Sequence, residues 1–459
     1  MKIYGFLCAI ALLMSGTSCS VDVPSPDLYS DPDAISNVQS ARSLLTSCYL
    51  LYPHNEYEMS VLGNDFCPTS LSGKDIDQQN LYNWQDKSIS KLSADMWLAY
   101  YNTIANCDVL LERLPSVKVS GDGEEKEKQA VESEVKTLKA MCYFNLLRLF
   151  ATPYNQNPDG DGVIIKSHVG LEFCSRSSKR YCVEYIRALL SDAAKTENNQ
   201  KSNGWLSQKT ALYLLSDLEL YAGNYQEAAD YASSVLKGTA TEDYAGSNYA
   251  HLWDNASCKA RIFAFNTGNS FYSSIQYGSE EGDFMAVNPH LLMADSDVRR
   301  FSNEYEMEMA GKKRILLGKY NRTNKENKTI AYINSMRYAG ALFILAEAKA
   351  RLGNDDEART VLNGYLTAVN AGTIPENVSG DELVSAIIEQ KNKEFAGEGV
   401  NWFDMKRTSS QISRLGSWGQ SVSSVIKNND YRWTMPIPSS EYKYNDNVRQ
   451  NDGWHINVE

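Results

Sequence analysis

The sequence carries few of the residues that usually announce chemistry. Its five histidines are His54, His168, His251, His290 and His455, no two of them stand four apart, and no His-Glu-x-x-His occurs. Gly-x-Ser-x-Gly, the phosphate loop and Gly-x-Gly-x-x-Gly are all missing. These absences remove the motifs of zinc proteases, α/β-hydrolases and nucleotide enzymes. No Cys-x-x-Cys spacing occurs, so zinc and thiol redox chemistry are not expected. Positive charge is also short, with 45 Lys and Arg against 57 Asp and Glu, a formal net charge of −12. An acidic body without a long basic cluster argues against nucleic acid or anionic lipid as a partner. Nowhere is there an apolar run of the roughly 20 residues that span a bilayer as a helix. The expectation is a non-enzyme with no cofactor and no metal.

Adjacent acids do occur at Glu124-Glu125, Glu280-Glu281 and Asp355-Asp356. Side-by-side acids point in different directions, whereas a glycosidase needs two carboxyls facing one bond across about 5–9 Å. Asp159-Gly-Asp161-Gly has the look of a calcium loop. Its twelfth position is Gly170 rather than Glu, which excludes an EF-hand and leaves a plain turn. Cys48, Cys107 and Cys142 lie in apolar helical sequence, where free thiols behave as small buried hydrophobes. Cys174 and Cys182 are close enough in sequence for one local bridge, which is not expected to form.

The chain opens with Lys2, the apolar run Ile3 to Met14, and small residues leading to Cys19. Charge, short apolar core and small residues are the layout of an export signal. A cysteine at the cleavage point predicts a bacterial lipoprotein, with residues 1–18 removed and Cys19 acylated. No Leu stands where the usual lipobox has one, and the alternative is a secreted protein with a coincidental cysteine. A lipid there holds a domain to the membrane without spanning it. Residues 19–33, with three prolines and four aspartates, read as an extended tether.

From residue 34 to 459 the periodicity is mostly helical, and the fold class read from it is mostly α. Apolar positions from Ile35 to Cys48, Trp97 to Leu111, Val131 to Leu149 and Tyr181 to Ala194 each trace a helix face. Gly121 to Lys128 reads as a charged loop. Residues 211–228, ALYLLSDLELYAGNYQEA, repeat as 341–358, ALFILAEAKARLGNDDEA, with seven identities in eighteen positions. Each copy is a helix, a Gly-Asn break and a second helix, in the manner of a tetratricopeptide hairpin. Glycine ends the first helix and the Asn side chain is expected to cap the second. Residues 240–335 hold six glycines and β-type runs at Ile262-Phe263-Ala264-Phe265 and Ile315-Leu316-Leu317, and read as loops with a little sheet. The organisation expected is helical hairpins over about 34–237 and 336–400, a loop-rich insertion over about 240–335, and a closing segment 401–459.

Aromatics are plentiful, with 28 Tyr and 8 Trp. Many, such as Tyr100, Tyr101, Tyr143 and Tyr213, stand in helical stripes and are expected in the core. Tyr82, Asn83 and Trp84, and then Phe271, Tyr272 and Tyr277, stand instead among Asn, Gln and Ser in loop-like sequence. Flat rings beside amides suit a sugar, because a ring face packs on C–H groups while amides bond hydroxyls. These six are the candidate ligand-binding residues. The alternative is that each ring folds beneath its own loop.

The end of the chain is distinctive. Glu394-Phe-Ala-Gly397-Glu398-Gly399-Val-Asn-Trp402-Phe403-Asp404-Met405-Lys406-Arg407 resembles the Glu-Gly-x-x-Trp-x-Asp-Leu-Lys-Arg signature of the SusD/RagB family. Pro436-Ile437-Pro438, Asn445 and Gln450-Asn451-x-Gly453-Trp454 resemble its closing segment. Trp97 to Asn106, Glu134 to Phe150 and Arg337 to Glu347 resemble its helices, so the likeness covers nearly the whole chain. Val400 and Asn401 depart from the family's frequent His and Arg, as Lys391 and Lys393 depart from Arg. The resemblance implies a tetratricopeptide-like scaffold of four hairpins with an irregular ligand-binding part containing a little β. The hairpins would be 211–237, 341–369, 32–52 with 93–114, and 127–150 with 181–196. It implies an outer-membrane, cell-surface lipoprotein that captures oligosaccharides as the lid of a SusC-like TonB-dependent transporter. Some relatives bind peptides, and a scaffold for protein partners is a further alternative. The family's ligand residues carry no motif, so none transfers to this chain. In the signature itself Trp402 and Phe403 are expected to pack inward, with Asp404, Lys406 and Arg407 forming surface pairs.

Overall fold

The computed structural model describes residues 35–69, 76–166, 168–170, 172–198, 204–254, 256–266, 285–309, 311–320, 332–416, 421–443 and 445–455. Cys19 and residues 1–34 lie outside them. The helices α1 (Val38–Leu51), α2 (Glu56–Leu62) and α3 (Ile76–Tyr82) precede the long antiparallel pair α4 (Asp86–Arg113) and α5 (Asp122–Phe150). Next come α6 (Lys179–Ala193), α7 (Gln208–Ala222) and α8 (Tyr225–Leu236). The later helices are α9 (Tyr338–Arg351), α10 (Asp355–Ala368), α11 (Gly380–Glu394) and α12 (Asn401–Arg407). In space α1 packs on α4, α5 on α6, α7 on α8, α8 on α9, and α9 on α10 and α11. The fold is mostly α with a little β, as the periodicity predicts.

Local chemistry sets the helix ends. At α1 the Ser40 amide donates to Asn37 Oδ1 at 2.8 Å while the Asn37 amide donates to Ser40 Oγ, a reciprocal cap. The Gly121–Lys128 stretch, expected as a loop, forms the first turns of α5. Asp122, Glu124 and Glu125 favour the positive end of the helix dipole, and Glu and Lys propagate a helix well.

The internal repeat folds as two stacked hairpins. Gly223 and Gly353 sit at φ 82° and 80°, a left-handed conformation that lets the chain leave one helix and enter the next. The Asn that follows each glycine occupies the cap position, but its side chain makes no cap bond. Asn224 Nδ2 instead donates to Glu219 Oε2 at 2.6 Å, back on α7, because that buried carboxylate needs donors. Helix α9 is buried on nearly all sides and is lined by alanines. The small residues allow close approach: a Cβ on Gly340 would lie 2.1 Å from Tyr213 Oη of α7.

Among the described residues the strands form four antiparallel pairs. They are β1 (Phe66–Pro68) with β3 (Met285–Val287), and β2 (Arg261–Asn266) with β6 (Tyr332–Arg337). The others are β4 (Glu304–Met309) with β5 (Lys312–Leu317), and β7 (Ile412–Leu415) with β8 (Val422–Ile426). One continuous apolar core joins helices and strands, and Cys48, Cys107 and Cys142 are fully buried in it. Cys174 and Cys182 are free thiols.

Gly353→Ala places a Cβ in the left-handed region and is expected to lower stability by about 1–2 kcal/mol. Urea unfolding checks this, and the same loss is expected for Gly223→Ala, since open space surrounds both positions.

Candidate functional site

The strand ladders bring distant stretches of chain to one edge. Pro68 pairs with Met285, so the chain enters residues 70–75 and leaves 267–284 at adjacent points. Asn266 pairs with Tyr332, so the described chain stops at 266 and resumes at 332 side by side. Strands β3 and β5 touch, as do β1 and β7, which joins the β1–β3, β4–β5 and β7–β8 ladders into one platform.

Beneath the platform lies a buried ion network. Arg337, at the end of β6, donates to Glu394 Oε1 at 2.7 Å and to Glu398 at 2.8 and 2.9 Å. Arg299 reaches Glu394 at 2.7 Å and Asp297 at 2.6 Å. The Tyr365 hydroxyl of α10 donates to Glu394 Oε2 at 2.8 Å. Lys319, just beyond β5, donates to Glu398 at 2.7 Å and to the carbonyls of Glu394 and Ala396. Burial alone raises the Glu394 pKa. The charges of Arg337, Arg299 and Lys319 outweigh it and hold the carboxyl below its ordinary value. Lys319 thereby ties the chain just beyond β5 to the end of α11, and Arg337 ties the end of the β2–β6 ladder opposite the Asn266–Tyr332 pair.

The root of β1 is fixed separately. Asp65 is fully buried and accepts from the Gly397 amide at 2.9 Å and from Asn401 Nδ2 at 2.7 Å. Desolvation is the largest influence on it and pushes its pKa up to about 7, against those hydrogen bonds and the Lys319 charge.

The signature segment makes buried pairs rather than the surface pairs expected. Asp404 pairs with Lys391 at 2.8 Å and with Arg407 at 2.8 Å, and Arg407 continues to Glu347 at 2.5 Å. Burial opposes the Asp404 charge, but the Lys391 and Arg407 cations bring its pKa down to about 2. Lys391 makes this bridge where the family frequently has Arg. Lys406 is buried too and donates to the carbonyls of Arg148 and Leu149. Trp402 is buried and Phe403 half-buried, with the Arg148 guanidinium 4.2 Å from the Phe403 ring centre.

Two of the six expected ligand residues prove to be core. Tyr82 ends α3 and is 2% exposed. Its hydroxyl donates to the Leu415 carbonyl at 2.9 Å and accepts from the Leu415 amide at 3.0 Å. The buried Arg414 guanidinium lies 4.5 Å from its ring centre. Trp84 is 0% exposed, adopts φ 53°, donates to the Leu62 carbonyl and meets Trp433 edge-on at 4.8 Å. Polar neighbours in sequence suggested exposed rings, but these amides lie outside while the rings pin α3 and β7 to α2. Asn83 is exposed beside them. Phe271, Tyr272 and Tyr277 lie outside the described residues. The network residues Arg337, Lys319 and Asp65 were not singled out in the sequence. The one available signal was Glu394 and Glu398 set among Phe, Ala and Gly.

Known proteins sharpen the reading. A model described as "SusD family" matches residues 175–454, and one described as "Starch-binding associating with outer membrane" matches residues 26–216. The chain belongs to the SusD family. SusD-like protein P2 of Formosa agariphila is 24% identical over 388 residues, 72% of this chain and 75% of that protein. A SusD superfamily protein from Bacteroides vulgatus superposes with a TM-score of 0.77 at 21% identity, covering 92% of this chain and all of its own. A SusD-like carbohydrate binding protein from the same organism gives 0.75 at 19% identity, covering 90% and 97%. These likenesses establish the fold of this SusD-family chain.

Trp84→Ala is expected to cost about 3–5 kcal/mol of stability, the usual loss for a large buried ring, measured by chemical denaturation. A folded-state pKa raised at Asp65 means stability present below about pH 4 and lost as pH rises to about 7. The stability of the wild type relative to Asp65→Asn should fall across that window, by up to roughly 4 kcal/mol. Melting curves of both proteins at each pH check it.

Proposed function

We propose that this protein binds oligosaccharide at the cell surface, without altering it, and delivers it to a SusC-like TonB-dependent outer-membrane transporter as that transporter's lid. Membership of the SusD family carries the reading, together with the description of its second matching model as starch-binding and outer-membrane associated. The ligand would meet the platform edge, through Phe271, Tyr272 and Tyr277, with Asn83 as a further polar contact. A lipid on Cys19 would hold the body to the membrane through the tether 19–33.

The position of the first described residues supports this arrangement. Asn37 bridges to Lys118, near the C-terminal end of α4, while Trp84 and Tyr82 lie at its N-terminal end. Helix α4 has 28 residues and is therefore about 42 Å long. The tether thus joins the body a helix length away from α3 and its neighbours, which leaves that end clear of the anchor.

Isothermal titration against a panel of neutral oligosaccharides tests the proposal. One glycan should bind unchanged. Phe271→Ala and Tyr277→Ala should each weaken it about tenfold, on the order of 1–2 kcal/mol, with the melting temperature unaffected. Release of sugar products by the protein alone, or binding of peptides and no glycan, would contradict the reading.

A further inference from the structure

A second cleft stands apart from the platform edge, at the C-terminal end of α5. Its volume is about 580 Å³. The negative end of this 29-residue helix is met by three buried or half-buried cations. Lys406 Nζ donates to the carbonyls of Arg148 and Leu149 at 2.7 and 3.2 Å. Arg176 donates to the Phe150 carbonyl at 3.0 Å, to Gly162 at 2.8 Å and to Asn451 Oδ1 at 2.8 Å. Lys179 holds Thr152 and the Pro153 carbonyl at 2.8 and 2.9 Å. No carboxylate among the described residues lies within ion-pair distance of any of the three.

Arg299, Arg337, Lys319 and Lys391 each contact a carboxylate, whereas Arg261 and Arg414 are, like these three, held by carbonyl and amide oxygens. Carbonyl dipoles and the helix end supply only partial charge. Burial pushes Lys179 down to about 8, with Arg176 repelling it, and pushes Lys406 well below its ordinary value, with Lys179 repelling it. Lys406 and Arg176 line the cleft, where an anion would offset the unmatched charge.

The rest of the lining suits a sugar. Gln156, Asn157, Asn428 and Asn429 make no side-chain hydrogen bond within the described structure and remain available to hydroxyls. The Tyr431 ring is 36% exposed beside them. Three acids also line the cleft. Asp430 is neutralised by Arg432 at 2.6 Å, Asp161 lies 3.6 Å from Arg449, and Asp452 is exposed. Asp161 also acts on Arg176, so Lys406 is the lining cation that no acid of the cleft offsets.

We infer that this cleft binds the acidic group of an anionic saccharide, a carboxylate or sulfate set toward Lys406 and Arg176 with its ring among the amides. The inference does not depend on the platform edge binding glycan. The test titrates the full chain with a uronic-acid trisaccharide, its methyl ester and a sulfated trisaccharide. The acid or the sulfate ester should bind at least tenfold more tightly than the methyl ester, and whichever binds identifies the group. The exposed double change Asn428→Asp with Asn429→Asp should weaken that binding about tenfold, more at low salt. Lys406→Met should abolish it, and circular dichroism shows whether that variant folds. Tyr277→Ala should leave it intact, which separates this cleft from the platform edge. Equal binding of acid and methyl ester, no binding of any of the three, or binding lost only in Tyr277→Ala would overturn the inference.

Discussion

The buried contact between Arg337 and the two glutamates Glu394 and Glu398 is the constraint on which the rest of the structure depends. It joins the last residue of a strand to the end of a helix and to the turn after it. Arg299, Lys319 and Tyr365 enter through the same carboxylates, so five separated stretches of chain meet at one charge cluster. Such a cluster contributes little net stability relative to a well-packed apolar core, but removing one partner typically costs about 3–5 kcal/mol. Its value is geometric. Apolar packing tolerates sliding, whereas bidentate guanidinium–carboxylate bonds fix direction and distance. Those bonds set the Arg261–Arg337 end of the β2–β6 ladder, opposite the Asn266–Tyr332 pair.

The helical hairpins play a complementary part. Alanine-rich α9 lets α7, α8, α10 and α11 crowd around one axis, and the charge cluster sits where α10 and α11 meet the strands. Scaffold and platform share one apolar core. A ligand held at the edge of such a platform meets segments whose roots are fixed. Function in binding proteins is commonly carried by loops on a rigid frame.

Much of the frame was legible in the sequence. The eighteen-residue repeat, its copies 130 positions apart, marked both hairpins because helix periodicity and the Gly-Asn break are local signals. The β runs at Ile262 and Ile315 were legible for the same reason. Tyr82 and Trp84 were misread because burial is a tertiary property. Their amide neighbours face solvent, and the partners that cover the rings, Arg414 and Trp433, lie more than 300 residues away. The signature charges were misread likewise. Asp404 and Arg407 find Lys391 and Glu347 across a helix interface that no spacing rule announces. The three cations at the end of α5 come from residues 176, 179 and 406, and only the fold shows that they converge.

The proposed ligand edge lies where residues 70–75, 267–284 and 321–331 leave the strands. Hydrogen–deuterium exchange with and without a bound oligosaccharide tests this most directly. Protection is predicted in residues 70–75, 267–284 and 321–331, with the hairpins α7–α8 and α9–α10 unchanged. Protection confined to the helical hairpins, with none in those three segments, would contradict it.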